Sequence, residues 1–128
     1  HPLGMPASDG SVYSPYGKLG ESMPHPRSYG TMPRFFGKYV SEQKLMNMET
    51  AVHKVTALPA SRLALKERGL LVPGYHADIV VFNPDTIMDK ATFANPHQFP
   101  DGIEYVFVNG VLTLANGKGT GALGGVLL

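Results

Sequence analysis

The sequence predicts an α/β chain, made of the last strand and helices of a parallel barrel followed by part of a small, separate sheet domain. Three observations predict it. Met5-Pro6-Ala7-Ser8-Asp9-Gly10 is an apolar run ending in an acidic residue and a glycine, the way a barrel strand delivers a catalytic carboxylate to its C-terminal rim. Helical periodicity fills the middle of the chain. From Gly69 onward the period changes to that of strands, most clearly in Ala77-Asp78-Ile79-Val80-Val81-Phe82. A chain that opens on a catalytic strand, with His1 and not Met first, is expected to be a piece that lacks the preceding strands.

Residues 3–7 read as a short buried strand, weakened by Gly4 and Pro6. Residues 9–27 are rich in proline, glycine and serine and read as a long irregular loop, a type of segment that is often functional. Met32, Phe35, Phe36, Tyr39 and Val40 share a helical face, so residues 31–40 read as a helix with Pro33 in its first turn. Asn47 reads as the N-cap of a second helix over 48–57. Leu58-Pro59 is expected to stop it, with one more turn at 60–65. Residues 70–72 read as a short extended piece, Pro73-Gly74 as a turn and 77–82 as a strand. Residues 90–102 read as a loop. Ile103–Val108 and Val111–Ala115 flank Asn109-Gly110, the sequence of a type I′ hairpin turn, which needs positive φ at both central residues. The tail over 116–125 reads as glycine-rich and turn-like.

The composition excludes several classes. At 128 residues the chain has the length of one domain, but its residues do not read as one core. Formal net charge is +1, with the cations scattered, so there is no electrostatic case for nucleic acid or an anionic membrane. There is no cysteine, which fits a reducing cytoplasm. No apolar run approaches the ~20 residues of a membrane-spanning helix.

Asp9 is the first candidate for chemistry. A carboxylate at a barrel rim can take a proton from a metal-bound water and return it to a leaving amine. Ser-Asp-Gly is also ordinary turn chemistry, and both readings stand. His25-Pro26-Arg27, followed by Gly30-Thr31-Met32-Pro33-Arg34, is the second candidate. Arg27 can hold a substrate carboxylate through paired hydrogen bonds, a geometry lysine does not reproduce. His25 can orient that group or ligate a metal, and each residue alone can equally be solvated or structural. His53, His76 and His97 form no H-x-H or H-E-x-x-H pair, so the segment has no zinc motif of its own. Gly117-Lys118-Gly119-Thr120 lacks the other features of a phosphate loop and reads as a turn. Asp78, at a strand start, is expected to accept backbone hydrogen bonds.

Three blocks together resemble the amidohydrolase superfamily and, within it, the N-acyl-D-amino-acid deacylases (D-aminoacylases). They are Ser8-Asp9-Gly10, the block from His25 to Arg34, and Arg68-Gly69-Leu70 with Gly74-Tyr75 and Ala77-Asp78-Ile79-Val80-Val81-Phe82. The last is widespread in the superfamily; the His-Pro-Arg block points to the deacylases. Nearly all of the chain takes part, aligned to the C-terminal quarter of such an enzyme. The resemblance implies the end of a metal-dependent (β/α)8 barrel over residues 1–66 and the C-terminal part of a small β-sandwich domain over 67–128. It implies a zinc-dependent hydrolase that splits the linear amide of a small-molecule N-acyl-D-amino acid, with zinc ligands in the missing N-terminal barrel. Asp9 is then the catalytic residue beside the metal, Arg27 the partner of the substrate α-carboxylate, and His25 its neighbour. The loop over 13–23 follows no pattern of the family.

The chain alone is then expected neither to hold catalytic zinc nor to turn over substrate. Its strands, stripped of partners, are expected to fold poorly. Two other readings remain at this stage. One is an amidohydrolase of cyclic amides, related to hydantoinases or dihydroorotases, against which Arg27 counts. The other is a non-catalytic β-rich interaction module.

Overall fold

The structure, a computed structural model, describes residues 1–127. The chain divides into two compact units. The first comprises His1–Pro6, Met46–Asn83 and the chain from Ile103 onward. The second comprises Ala7–Leu45 and Pro84–Gly102.

In the first unit, helix α2 spans Met48–Val55 and Asn47 caps it as its sequence predicts, its Oδ1 accepting from the Thr50 N–H at 2.9 Å. The helix ends two residues earlier than expected, at Thr56, whose φ of −127° and ψ of −90° are not helical. Leu58-Pro59 does not stop a helix; it lies in the first turn of the next, Ala57–Arg62 (α3). Proline is tolerated there because first-turn N–H groups have no intrahelical acceptor. Ala51, Leu58 and Ala60 form the buried apolar positions of this helical pair. Gly69, at φ +85°, leaves room for Ala57 and Ala60, and a side chain there would overlap both.

The sheet is antiparallel, in the order β1 (Ile79–Phe82), β2 (Ile103–Val108), β3 (Val111–Ala115), β4 (Lys118–Gly119). Asn109 and Gly110 have φ of 48° and 79°, as a type I′ turn requires. Asn116 and Gly117 repeat this at 50° and 73°, so the tail read as turns also adds the short strand β4. Asp78 accepts the Asn109 N–H at 2.8 Å and pairs with Arg68, whose second nitrogen reaches Asn109 Oδ1 at 3.0 Å. Residues 70–72 join no ladder.

Residues 3–7 do not form the expected buried strand. The Gly4 N–H turns back to the His1 carbonyl at 3.0 Å, Pro6 has no N–H to give, and Leu3 and Met5 are exposed. The carbonyls of His1, Pro2 and Gly4 instead accept from the buried Lys54 ammonium at 2.7, 3.2 and 2.7 Å. Those hydrogen bonds take the acceptors that a neighbouring strand would use.

In the second unit, helix α1 spans Arg27–Arg34, four residues earlier than the apolar spacing predicts, and continues as a π-helix over Phe35–Glu42. Pro33 is therefore in the last turn of α1, and buried, rather than in its first turn. It has no N–H for the Tyr29 carbonyl, and the regular i→i−4 ladder gives way to the wider π turns just after it. Phe36, Val40, Ile87 and Ala91 are buried here, with Pro24, Pro33 and Pro96. Residues 9–26 are irregular apart from a 3₁₀ turn at Gly17–Glu21, and Arg27, read from sequence as the end of that loop, opens α1. Residues 90–102 are also irregular, closed by paired backbone bonds between Met88 and Asp101.

Candidate functional site

Asp9, His25 and Arg27 all fall in the second unit, and the fold brings them together. Asp9 sits at the apex of a tight turn in which Ser8 Oγ accepts the Gly10 N–H at 3.2 Å. Its φ is +47°, an uncommon conformation for a residue with a side chain. The turn chemistry in Ser-Asp-Gly is thus real, and it holds the Asp9 carboxylate out into solvent, 87% exposed. Gly10 lies against the start of α1, where a Cβ would come within 3.1 Å of Ser28 Cα.

His25 secures the start of that helix. Its Nδ1 accepts the Arg27 N–H at 3.0 Å, while the His25 and Pro26 carbonyls accept from Ser28, Tyr29 and Gly30. The first-turn donors are satisfied without a conventional side-chain cap. In the neutral ring the proton therefore lies on Nε2. The ring meets the edge of Phe93, with centroids 4.8 Å apart.

Arg27 points from the first turn of α1 to Asp9, its Nη2 3.0 Å from Oδ2. Asp9 occupies one nitrogen of a group with five donors, and the side chain remains 44% exposed. Arg34, two turns further on the same helix, is fixed by Asp89: Nε and Nη2 reach Oδ2 at 3.0 and 2.9 Å, and the Asp89 side chain is 6% exposed. Gly30 makes room for this carboxylate, since a Cβ would lie 2.8 Å from Asp89 Cβ. His25, Arg27, Thr31, Arg34, Asp89 and Phe93 line an open groove of about 420 Å³. It combines one guanidinium with free donors, Arg27, which pairs outside the lining with the exposed Asp9, and one already paired with Asp89.

The sequence reading missed Phe93, in the segment over 90–102 that it took only as a loop, and Asp89 just before that segment. It also missed Tyr29, whose hydroxyl meets His97 Nδ1 at 2.9 Å; burial raises the pKa of that hydroxyl above its usual 10.0. Partners 68 and 55 residues apart leave no periodic trace. Among the described residues no group of three or more His, Asp or Glu side chains is placed to hold a metal ion.

Residues 7–114 match the amidohydrolase family. The chain belongs to that family. Its amidohydrolase sequence is 45% identical over 122 residues to the N-acyl-D-aspartate deacylase of Alcaligenes xylosoxydans xylosoxydans, covering 95% of this chain and 23% of the relative. Among solved structures it is similar to D-aminoacylase, with 43% identity and a TM-score of 0.81 over 92% of this chain and 23% of that one. It is also similar to the N-acyl-D-glutamate deacylase of Bordetella bronchiseptica, solved with zinc and a phosphonate mimic of the tetrahedral intermediate. That match has 45% identity and a TM-score of 0.79, over 88% of this chain and 22% of the other. This amidohydrolase chain thus spans about a quarter of the length of the relatives it matches.

Proposed function

We propose that the enzyme to which this chain belongs hydrolyses the amide of N-acyl-D-amino acids, giving a carboxylate and a free D-amino acid. The observation that carries this is the pairing of Asp9 with Arg27, a residue that lines the groove. A carboxylate able to move a proton stands next to a guanidinium able to hold a carboxylate, in a segment similar to several deacylases. The D preference rests on the names of those relatives alone.

In this reading residues 1–66 belong to a (β/α)8 barrel and 67–128 to a β-sandwich domain. The antiparallel sheet supports the second assignment. Zinc is the metal, by likeness to the Bordetella bronchiseptica enzyme. The described residues do not fit a zinc centre by themselves, since they offer no cluster of ligands and Asp9 is turned to Arg27. The ligands are assigned to the remainder of the enzyme.

Arg27 presents its remaining donors to the substrate α-carboxylate, and its planar fork fixes the direction of the scissile amide. His25 holds the turn from which Arg27 projects. Asp9 accepts a proton from the attacking water as the carbon–oxygen bond forms. It then delivers that proton to the nitrogen as the carbon–nitrogen bond breaks.

The test is release of free amine from N-acetyl-D- and N-acetyl-L-amino acids by the full-length gene product supplied with zinc. Release from the D isomer, with little from the L isomer, is expected. Hydrolysis of a cyclic amide such as a hydantoin, with neither linear isomer cleaved, would overturn the proposal.

A further inference from the structure

We propose that His97 is a positioning residue: it fastens the loop between Asp9 and His25, and through that loop it sets how tightly the groove holds substrate. The kinetic part of this rests on the deacylase reading; the structural part does not.

The loop over residues 10–26 joins the two candidate site residues, so its placement bears on both. Hydrophobic burial does little to place it. Pro24 is buried at its base, but Val12, Tyr16, Leu19 and Met23 are exposed, and the 3₁₀ turn at Gly17–Glu21 buries nothing. Besides the bonds by which His25 and Pro26 lead into α1, two polar contacts tie it down. Near its start the Ser11 N–H reaches Ser28 Oγ at 3.3 Å. Near its end the Ser22 carbonyl lies 2.7 Å from His97 Nε2.

His97 is built for this contact. A carbonyl oxygen only accepts, so Nε2 carries the hydrogen and donates it. In the neutral ring Nδ1 is then the acceptor, and it faces the Tyr29 hydroxyl at 2.9 Å. The Tyr29 ring also packs edge-on against His97 and Phe99, at centroid distances of 5.5 and 5.7 Å. Tyr29 stands two residues after Arg27 on α1. The helix that presents Arg27 thus orients the imidazole, and the imidazole holds the loop that returns to Arg27.

The two ring nitrogens can be replaced separately. In His97→Gln the amide nitrogen reaches the place of Nε2 and can still donate to Ser22. In His97→Asn the side chain stops near the place of Nδ1, and His97→Ala keeps neither contact. Lys18 is the single lysine or arginine between residues 10 and 26, so trypsin cleavage after it reports loop release without any assay of activity.

In the full-length enzyme, His97→Asn and His97→Ala are expected to speed cleavage after Lys18 roughly tenfold, the effect of one lost hydrogen bond. KM should rise by a similar factor while kcat changes far less, and His97→Gln should restore both. An unchanged cleavage rate in His97→Asn and His97→Ala would overturn the tether whatever the activity. Faster cleavage with an unaltered KM would overturn the positioning role. Cleavage that follows the pattern in a protein without deacylase activity would support the tether and contradict the deacylase reading.

Discussion

Asp9 and Arg27 are bound to each other through a pair that is open to water, and such exposed pairs add little stability. On the proposed function their importance is chemical, so substitutions there should alter turnover rather than folding. Arg27→Lys keeps the charge but not the planar fork. It is expected to raise KM for an N-acyl-D-amino acid by roughly tenfold to a hundredfold, with a smaller fall in kcat; steady-state kinetics checks this. Tyr29 supports a different expectation. Its burial raises the hydroxyl's pKa, so above pH 10 the native state keeps a proton that the unfolded chain has released. That contribution is complete below the unfolded value and is lost as pH climbs through the raised native one. The melting temperature should therefore fall across about pH 9 to 11 more steeply for the full-length protein than for its Tyr29→Phe variant.

Elements fixed by local chemistry were legible. The Asn47 cap and the Asn109-Gly110 turn depend on residues within a few positions of each other, and both are found where the sequence puts them. The strand over 77–82 survives as Ile79–Phe82. Helix α1 was misplaced because its start depends on the His25 side chain and on Pro26, which look like loop residues when only apolar spacing is read. The supposed strand at 3–7 gives way to a longer-range contact: Lys54 gathers the carbonyls of Gly4 and of His1 and Pro2 just before it. Asp78 shows a long-range contact that sequence did anticipate in kind. It ties Arg68 and the tip of the β2–β3 hairpin to the start of β1. Asp78→Ala should lower the stability of the complete protein by about 2 kcal/mol, the loss of hydrogen bonds to a charged group, as read by denaturant unfolding. No change would show that the hairpin tip is held by its turn alone.

Across the whole chain, the sheet has no buried residue in any of its four strands. Val80 and Val81 are 54% and 40% exposed. A sheet whose strand residues are all half-buried or exposed, with β1 at one end of the strand order, has no fully covered face among the described residues, and a covering layer is what stabilises such elements. The isolated 128-residue chain is expected to associate and to unfold over a broad, concentration-dependent range; a sharp melt independent of concentration would contradict this. At the site, the sequence showed which residues to suspect, because Asp9, His25 and Arg27 lie in short recognisable blocks. It did not show the groove, which depends on Asp89 and Phe93 arriving from a segment more than fifty residues away.

The central claim is that Asp9 moves the proton in amide hydrolysis. The most direct measurement is the rate of amine release from an N-acetyl-D-amino acid by the full-length enzyme and its Asp9→Asn variant, at matched zinc content and unchanged circular dichroism. A fall of roughly a hundredfold to ten-thousandfold in kcat is the predicted result. A variant that turns over at the rate of the unaltered enzyme would contradict the assignment and return Asp9 to the role of a turn residue.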